Sequence, residues 1–268
     1  MHYIHIRSFD NVLKKMNLVI DIGNSRIKAG VFAHGKLLQS IAFESFSLKS
    51  LQTFLKKYPA IKNAILCMVT DYPTGLITFL KKNFHLIELS EKTPLPFRNN
   101  YKTPKTLGKD RLAAVAGAQY LFPKKNLLVI NAGTCITYDF IDSKGVYQGG
   151  SISPGPELRF KALHTFTGRL PLIETNPKFI ELVGRTTEQS ILSGVQQGIQ
   201  REIEGIIQAY KNKYTGLHLV LSGGWHNWLK KELKGKIISE AFLTLTGLNV
   251  ILTFCQAQPK AGKNKSTL

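Results

Sequence analysis

Leu18-Val19-Ile20-Asp21-Ile22-Gly23-Asn24-Ser25 and, 110 residues further on, Leu128-Val129-Ile130-Asn131-Ala132-Gly133-Thr134-Cys135 share one construction. In each, an apolar run of the kind a doubly covered strand needs ends in a polar residue, then a small-residue turn, then a second strand-like run. The register persists beyond the motif. Gly35 in His34-Gly35-Lys36 falls opposite Gly145 in Ser143-Lys144-Gly145, so each copy continues through a hairpin into a third strand. A period of this length exceeds the roughly 50 residues of a solenoid unit and reads as a duplicated domain. One Asp-x-Gly-Asn alone is most often a tight turn between strands. Two copies in the same context, with Ser222-Gly223-Gly224 following the apolar run 217–221, favour phosphate-binding hairpins. Their backbone N–H groups and small hydroxyls could approach a polyphosphate without side chains crowding it.

The chain has 268 residues, 43% hydrophobic and 20% charged, which allows a sizeable core and fits two moderate domains. No apolar run approaches the roughly 18 residues of a membrane span, so no membrane role is expected. The first fifteen residues scatter His2, His5, Arg7 and Asp10 and lack the apolar centre of a signal peptide. Cys67, Cys135 and Cys255 are odd in number and show no metal-ligand pairing, which fits a reduced, cytoplasmic setting. The net charge of +19 invites a nucleic-acid reading. However, the lysines lie mostly in pairs at the ends of amphipathic stretches, as at Lys56-Lys57, Lys81-Lys82, Lys124-Lys125 and Lys230-Lys231, where they complement helix C-termini or solvated faces. With no RNP motif, zinc-finger spacing or basic heptads, nucleic acid is not expected as a ligand, and attraction of small anionic substrates is the milder reading.

Residues 17–44 read as three strands, and Ser47 as the N-cap of a helix ending near Tyr58-Pro59. Strand patterns at 61–69 and 84–89 flank a helical pattern at 73–83. The stretch 90–106 holds three prolines and no period, a loop long enough to be functional. Residues 109–122 form an alanine-rich helix suited to close packing against a neighbouring element. The second copy starts near Asn126 and reaches Gly149-Gly150-Ser151-Ile152-Ser153-Pro154-Gly155, followed by a helix through Phe160 and Leu163. Ile191, Val195, Ile199, Ile203, Ile206 and Ile207 mark the longest helix, over 187–214. A strand at 217–221 precedes two more helical stretches, ending near Phe254.

Phosphoryl transfer needs a nucleotide cradle, a divalent metal and a base for the acceptor hydroxyl. No Gly-x-x-x-x-Gly-Lys-Ser/Thr occurs, which closes the P-loop route. Asp110, in Gly108-Lys109-Asp110-Arg111, stands where the long loop enters a helix and is the candidate base. A first-turn or N-capping aspartate is an equal reading of that tetrapeptide by itself. Asp21, at a strand end beside a glycine turn, can reach Mg²⁺ through water, and Lys28 is either a phosphate ligand or a solvated strand residue. His164, His218 and His226 are isolated, Cys135 reads as a small buried thiol, and no Gly-x-Ser-x-Gly elbow or Cys/His pair supports covalent catalysis.

Five motifs, Asp21-Ile22-Gly23-Asn24-Ser25-Arg26-Ile27-Lys28, Gly108-Lys109-Asp110-Arg111-Leu112-Ala113, Ala132-Gly133-Thr134 with Asp139 downstream, Gly149-Gly150-x-Ile152-x-Pro154-Gly155, and Thr187 before Gly194, occur in that order. In order and spacing the chain resembles the type III pantothenate kinases from Asn17 to about Phe254. The resemblance implies an α/β fold, the duplicated ribonuclease-H-like arrangement of actin, sugar kinases and heat-shock ATPases, with mixed sheets and an interdomain cleft. It implies ATP-dependent phosphorylation of pantothenate to 4′-phosphopantothenate, the first step towards coenzyme A, by a homodimer. Carried over by position, Asp21, Ile22, Gly23, Asn24, Ser25, Arg26, Ile27, Lys28 and Thr134 would hold ATP, with Asp21 near the metal. Asp110 would be the general base. Tyr101, Gly108, Lys109 and Arg111 would shape the pantothenate pocket with Thr187 of the partner subunit, and Ser222-Gly223-Gly224 would lie near the adenosine.

The expected divisions are an extension at 1–15 preceding Met16, domains at 16–122 and 123–256, and a basic tail at 257–268. Two departures stand out. Asn131 occupies the place where the family usually has an aspartate ligating K⁺ or NH₄⁺, leaving that cation in question, and Ser25 replaces a threonine while keeping its hydroxyl. A non-catalytic ATP-binding regulator on the same fold is the competing reading. The presence of Asp110 in its motif weighs against it.

Overall fold

The computed structural model describes residues 16–71, 73–233 and 235–258; the extension at 1–15 and the tail beyond 258 lie outside the described residues. The chain divides into two compact units.

In the first unit, β1 (Met16–Ile22), β2 (Ile27–Ala33) and β3 (Lys36–Phe43) form an antiparallel meander. Helix α1 (Leu48–Leu55) then leads to β4 (Ile61–Met68), and α2 (Leu76–Asn83) to β5 (His85–Glu88). The sheet order is β3-β2-β1-β4-β5, with β4 parallel to both β1 and β5. Strand β1 is central, and Leu18, Val19 and Ile20 are fully buried, as their unbroken apolar run requires. Ser47 caps α1 through a reciprocal bond with Ser50, as expected. Helix α2 begins at Leu76, later than residue 73, because Gly75 takes a left-handed φ of 80° just before it. A two-residue β6 (Arg98–Asn99) and helix α3 (Lys109–Leu121) follow.

The second unit repeats the plan. Strands β7 (Asn126–Ala132), β8 (Cys135–Ile141) and β9 (Val146–Pro154) form the meander. Helices α4 (Pro156–Thr165) and α5 (Thr187–Lys213) precede β10 (Leu217–Ser222), α6 (His226–Glu232) and β11 (Ile237–Ser239). The sheet order is β11-β10-β7-β8-β9-β6, with β10 parallel to β7 and β11. Five strands therefore keep the same order and sense in both units, the duplicated ribonuclease-H-like arrangement. Gly35 and Gly145 occupy matching hairpin turns with φ of 74° and 72°, a conformation that favours glycine. Ile191, Leu192, Val195, Ile199, Ile203 and Ile207 of α5 pack onto this sheet.

The last helix among the described residues, α7 (Leu243–Ala257), returns to the first unit, which contains the described residues from 244 to 258; residues 99–102 belong to the second. The units thus differ from a simple division at 122/123. The chemistry of the return is specific. A Cβ on Gly247 would run into the Ala113 carbonyl and the Gly117 backbone, so α7 and the alanine face of α3 meet backbone to backbone. The Asn249 side chain accepts a buried 2.8 Å hydrogen bond from the Asn17 amide of β1.

Candidate active site

Within the first unit, sheet register assembles a charged cluster at the end of β1. Asp21 pairs with Lys28 across the antiparallel β1–β2 ladder and with Cys67 across the parallel β1–β4 ladder. The Cys67 thiol is buried and hydrogen-bonded to the Asp21 carboxylate. Oδ1 of Asp21 is buried with no hydrogen-bond partner among the described residues. Burial first, then the negative charge of Asp110, pushes the Asp21 carboxyl up to about 6, while Lys28 and Cys67 oppose the shift. Burial and the same two carboxylates push the Cys67 thiol up, which keeps it protonated and inert as a nucleophile.

Asp110 reaches this cluster from the first turn of α3. Its side chain depends on a bare neighbour, since a Cβ on Gly108 would stand 2.7 Å from Asp110 Oδ1 and 3.3 Å from Arg111 Cδ. Arg111 is buried alongside, and Lys109 lines an open groove with Met68, Val69, Thr70 and Asp71. The structure therefore gathers Asp21, Lys28, Asp110 and Cys67. Of the rest of the expected nucleotide run, Asn24, Ser25 and Arg26 are exposed on the turn, which Gly23 closes by donating its N–H to the Arg26 carbonyl at 3.1 Å. Ile22 points into the core, so it can offer a ligand only its backbone, and Ile27 is partly buried against the same core. Cys67 escaped the sequence reading because only the β1–β4 register, not any local pattern, brings it to Asp21.

Asp21 fits a divalent metal through its unpartnered buried oxygen, a hard charged ligand that bound water can bridge. Among the described residues no group of three or more His, Cys, Asp or Glu side chains could enclose a metal ion.

In the second unit the corresponding position is Asn131, beside Ser222 of β10 and Thr137 of β8. Three loops converge at this end of β7. The Gly133 N–H donates to Cys135, the Gly155 N–H to the Thr134 carbonyl at 2.9 Å, and the Trp225 N–H to the Ala132 carbonyl at 3.1 Å. Behind them Arg159 donates through Nε to the Pro154 carbonyl at 2.8 Å and is ion-paired to Glu202. Burial works against ionisation of Glu202, but Ser153, Arg159 and Tyr138 all donate to it and hold its carboxyl below the usual range. Tyr101, Thr134 and Thr187 stand on three separate segments of this unit, a loop, a turn and a helix start. Tyr101 is stacked on Tyr147 of β9, and Thr187 is exposed at the start of α5.

A family model described as type III pantothenate kinase matches residues 17–209. The type III pantothenate kinase of Christiangramia forsetii is 46% identical over 244 residues, covering 91% of this chain and 100% of that protein. Two solved structures share the fold at low identity. Component A of (R)-2-hydroxyglutaryl-CoA dehydratase from Acidaminococcus fermentans has a TM-score of 0.53 at 12% identity, covering 91% of this chain and 100% of that one. A glucokinase from an Antarctic psychrotroph has a TM-score of 0.50 at 13% identity, covering 89% and 98%. The match along most of the chain, together with the Asp21 and Asp110 cluster that its motifs build, places this chain in the type III pantothenate kinase family.

Proposed function

We propose that this enzyme transfers the γ-phosphoryl group of ATP to the hydroxyl of pantothenate, forming 4′-phosphopantothenate for coenzyme A synthesis. The observation that carries the reading is Asp110 on the first turn of α3, electrostatically coupled to Asp21 at the end of β1. The turn from Asp21 to Lys28 offers N–H groups and the Lys28 ammonium to the ATP phosphates, and Thr134 on the matching turn of the second unit is assigned to the same nucleotide. Asp110 accepts the proton as the pantothenate oxygen bonds to the γ-phosphorus and the β–γ bridging bond breaks, releasing ADP. Mg²⁺, held near Asp21, would neutralise phosphate charge when bound. Tyr101, Gly108, Lys109 and Arg111 are assigned to the pantothenate pocket.

The active form is a homodimer whose partner subunit supplies Thr187. What supports this is a run of bare apolar side chains in the second unit: Phe166 is 85% exposed, Ile180 66%, Leu182 71% and Val183 72%. The setting is cytoplasmic, in keeping with three cysteines that form no disulfide and with no helix long and apolar enough, among the described residues, to cross a membrane.

If a monovalent cation, K⁺ or NH₄⁺, is used here as the resemblance implies, Asn131 would offer it a neutral amide in place of a carboxylate and hold it weakly. The decisive experiment is a coupled ADP-release assay with and without pantothenate, repeated in sodium, potassium and ammonium salts. Pantothenate-dependent ADP release is the expected result. Asn131→Asp is expected to lower the half-activating potassium concentration, and identical titrations for both proteins would remove Asn131 from the cation site.

A further inference from the structure

Asp139 of β8 is completely buried and takes no part in the assignments above. A buried carboxylate is costly unless hydrogen-bonded, and this one accepts a 2.6 Å bond from the hydroxyl of Tyr147 on β9. Tyr147 is itself fully buried, and its ring stacks with that of Tyr101, the centroids 6.2 Å and the planes 20° apart. The loop carrying Tyr101 is seated on the same strand. The Asn100 N–H donates to the Tyr147 carbonyl at 3.0 Å and its side-chain amide to Gln148 at 3.4 Å. The Tyr101 N–H closes the loop on Asn99 Oδ1 at 3.0 Å. The strand also makes room for the ring, because Gly149 has a φ of 101° and a Cβ there would lie 3.3 Å from Tyr101 Cδ2.

The geometry points to Tyr147 and Asp139 as positioning residues for the pantothenate site: the buried carboxylate grips the Tyr147 hydroxyl, and the ring so fixed sets the plane of Tyr101. An aliphatic residue at 147 would fill the volume without fixing a plane. The inference rests on the assignment of Tyr101 to the pantothenate pocket. Neither positioning residue touches substrate, so the effect falls on pantothenate affinity and leaves nucleotide affinity alone.

The test is steady-state kinetics of the full chain with pantothenate and ATP varied separately. Tyr147→Phe keeps the stack but loses the grip. It is expected to raise the pantothenate KM about 5-fold or more, a fraction of what a hydrogen bond to a charged group contributes since only positioning is lost, with the ATP KM unchanged. Asp139→Asn retains an acceptor oxygen and is expected to keep the pantothenate KM within about 2-fold of wild type. A bond serving only stability would lower the melting temperature and the active fraction without separating the two KM values. Should Tyr147→Phe not fold because the carboxylate loses its donor, the double variant Tyr147→Phe/Asp139→Asn removes charge and donor together and carries the same expectation. An unchanged pantothenate KM in the folded variant, or both KM values rising alike, overturns the inference. Tyr101→Ala separates the two levels. If it leaves the pantothenate KM unchanged, the assignment of Tyr101 fails; if it raises that KM while Tyr147→Phe does not, only the positioning role fails.

Discussion

Asp21 has surroundings that favour its protonated form, and this has a measurable consequence for the ligand-free protein. Its carboxyl titrates at about 6 in the folded chain against an ordinary 3.8. Between those values the folded state holds a proton that the unfolded chain has released, so the group's contribution to stability is fully present at low pH and is lost as pH rises through about 6. Asp21→Asn should therefore stabilise the ligand-free protein, by an amount that grows from about pH 4 to about pH 7 and then levels off. Urea midpoints of the two proteins across that range check it, and a difference independent of pH would show that Asp21 ionises normally. Asp110→Asn should fold, lose about 10²-fold or more in kcat, and keep its ATP affinity. Wild-type turnover in that variant would remove Asp110 from the mechanism. Both aspartates were legible in the sequence because each sits in a short motif at an element boundary. Cys67 was not, since a residue in the middle of an apolar strand carries no local sign of what the neighbouring strand places beside it.

At the scale of elements, the small face of α3 announced close packing but not its partner. Periodicity identifies which side of a helix is buried; it does not identify a helix that begins more than a hundred residues later. The contact itself is unforgiving. Gly247→Val would drive a branched side chain into the Ala113 carbonyl, and its expected cost is about 2–3 kcal/mol, the upper range for overpacking. Equilibrium urea unfolding measures it, and a loss well below 1 kcal/mol would mean that α7 shifts freely on α3. Helix α5 was readable along its whole length because its isoleucines recur over many turns. Strand β11 was missed, being three residues long and too short for any period to register. Pairing with β10 is what makes it a strand.

At the scale of the whole molecule, the duplication was legible because each copy keeps its strand, turn and hairpin in the same register. The homodimer was carried by the resemblance alone; the exposed apolar surface over 166–183 was not legible, because that segment has no period and its apolar residues become conspicuous only when their exposure is known. If that surface is the dimer contact, Leu182→Glu with Val183→Glu should yield a monomer by light scattering and raise the pantothenate KM through loss of Thr187 of the partner subunit. A wild-type protein that is already monomeric at assay concentrations would sink the dimer. The return of α7 to the first unit bears on how the protein is born. A ribosome releases the second unit's strands before it releases the helix that covers the alanine face of α3. Until α7 leaves the exit tunnel, the first unit waits with an open seam along α3, complete in its strands but not in its packing.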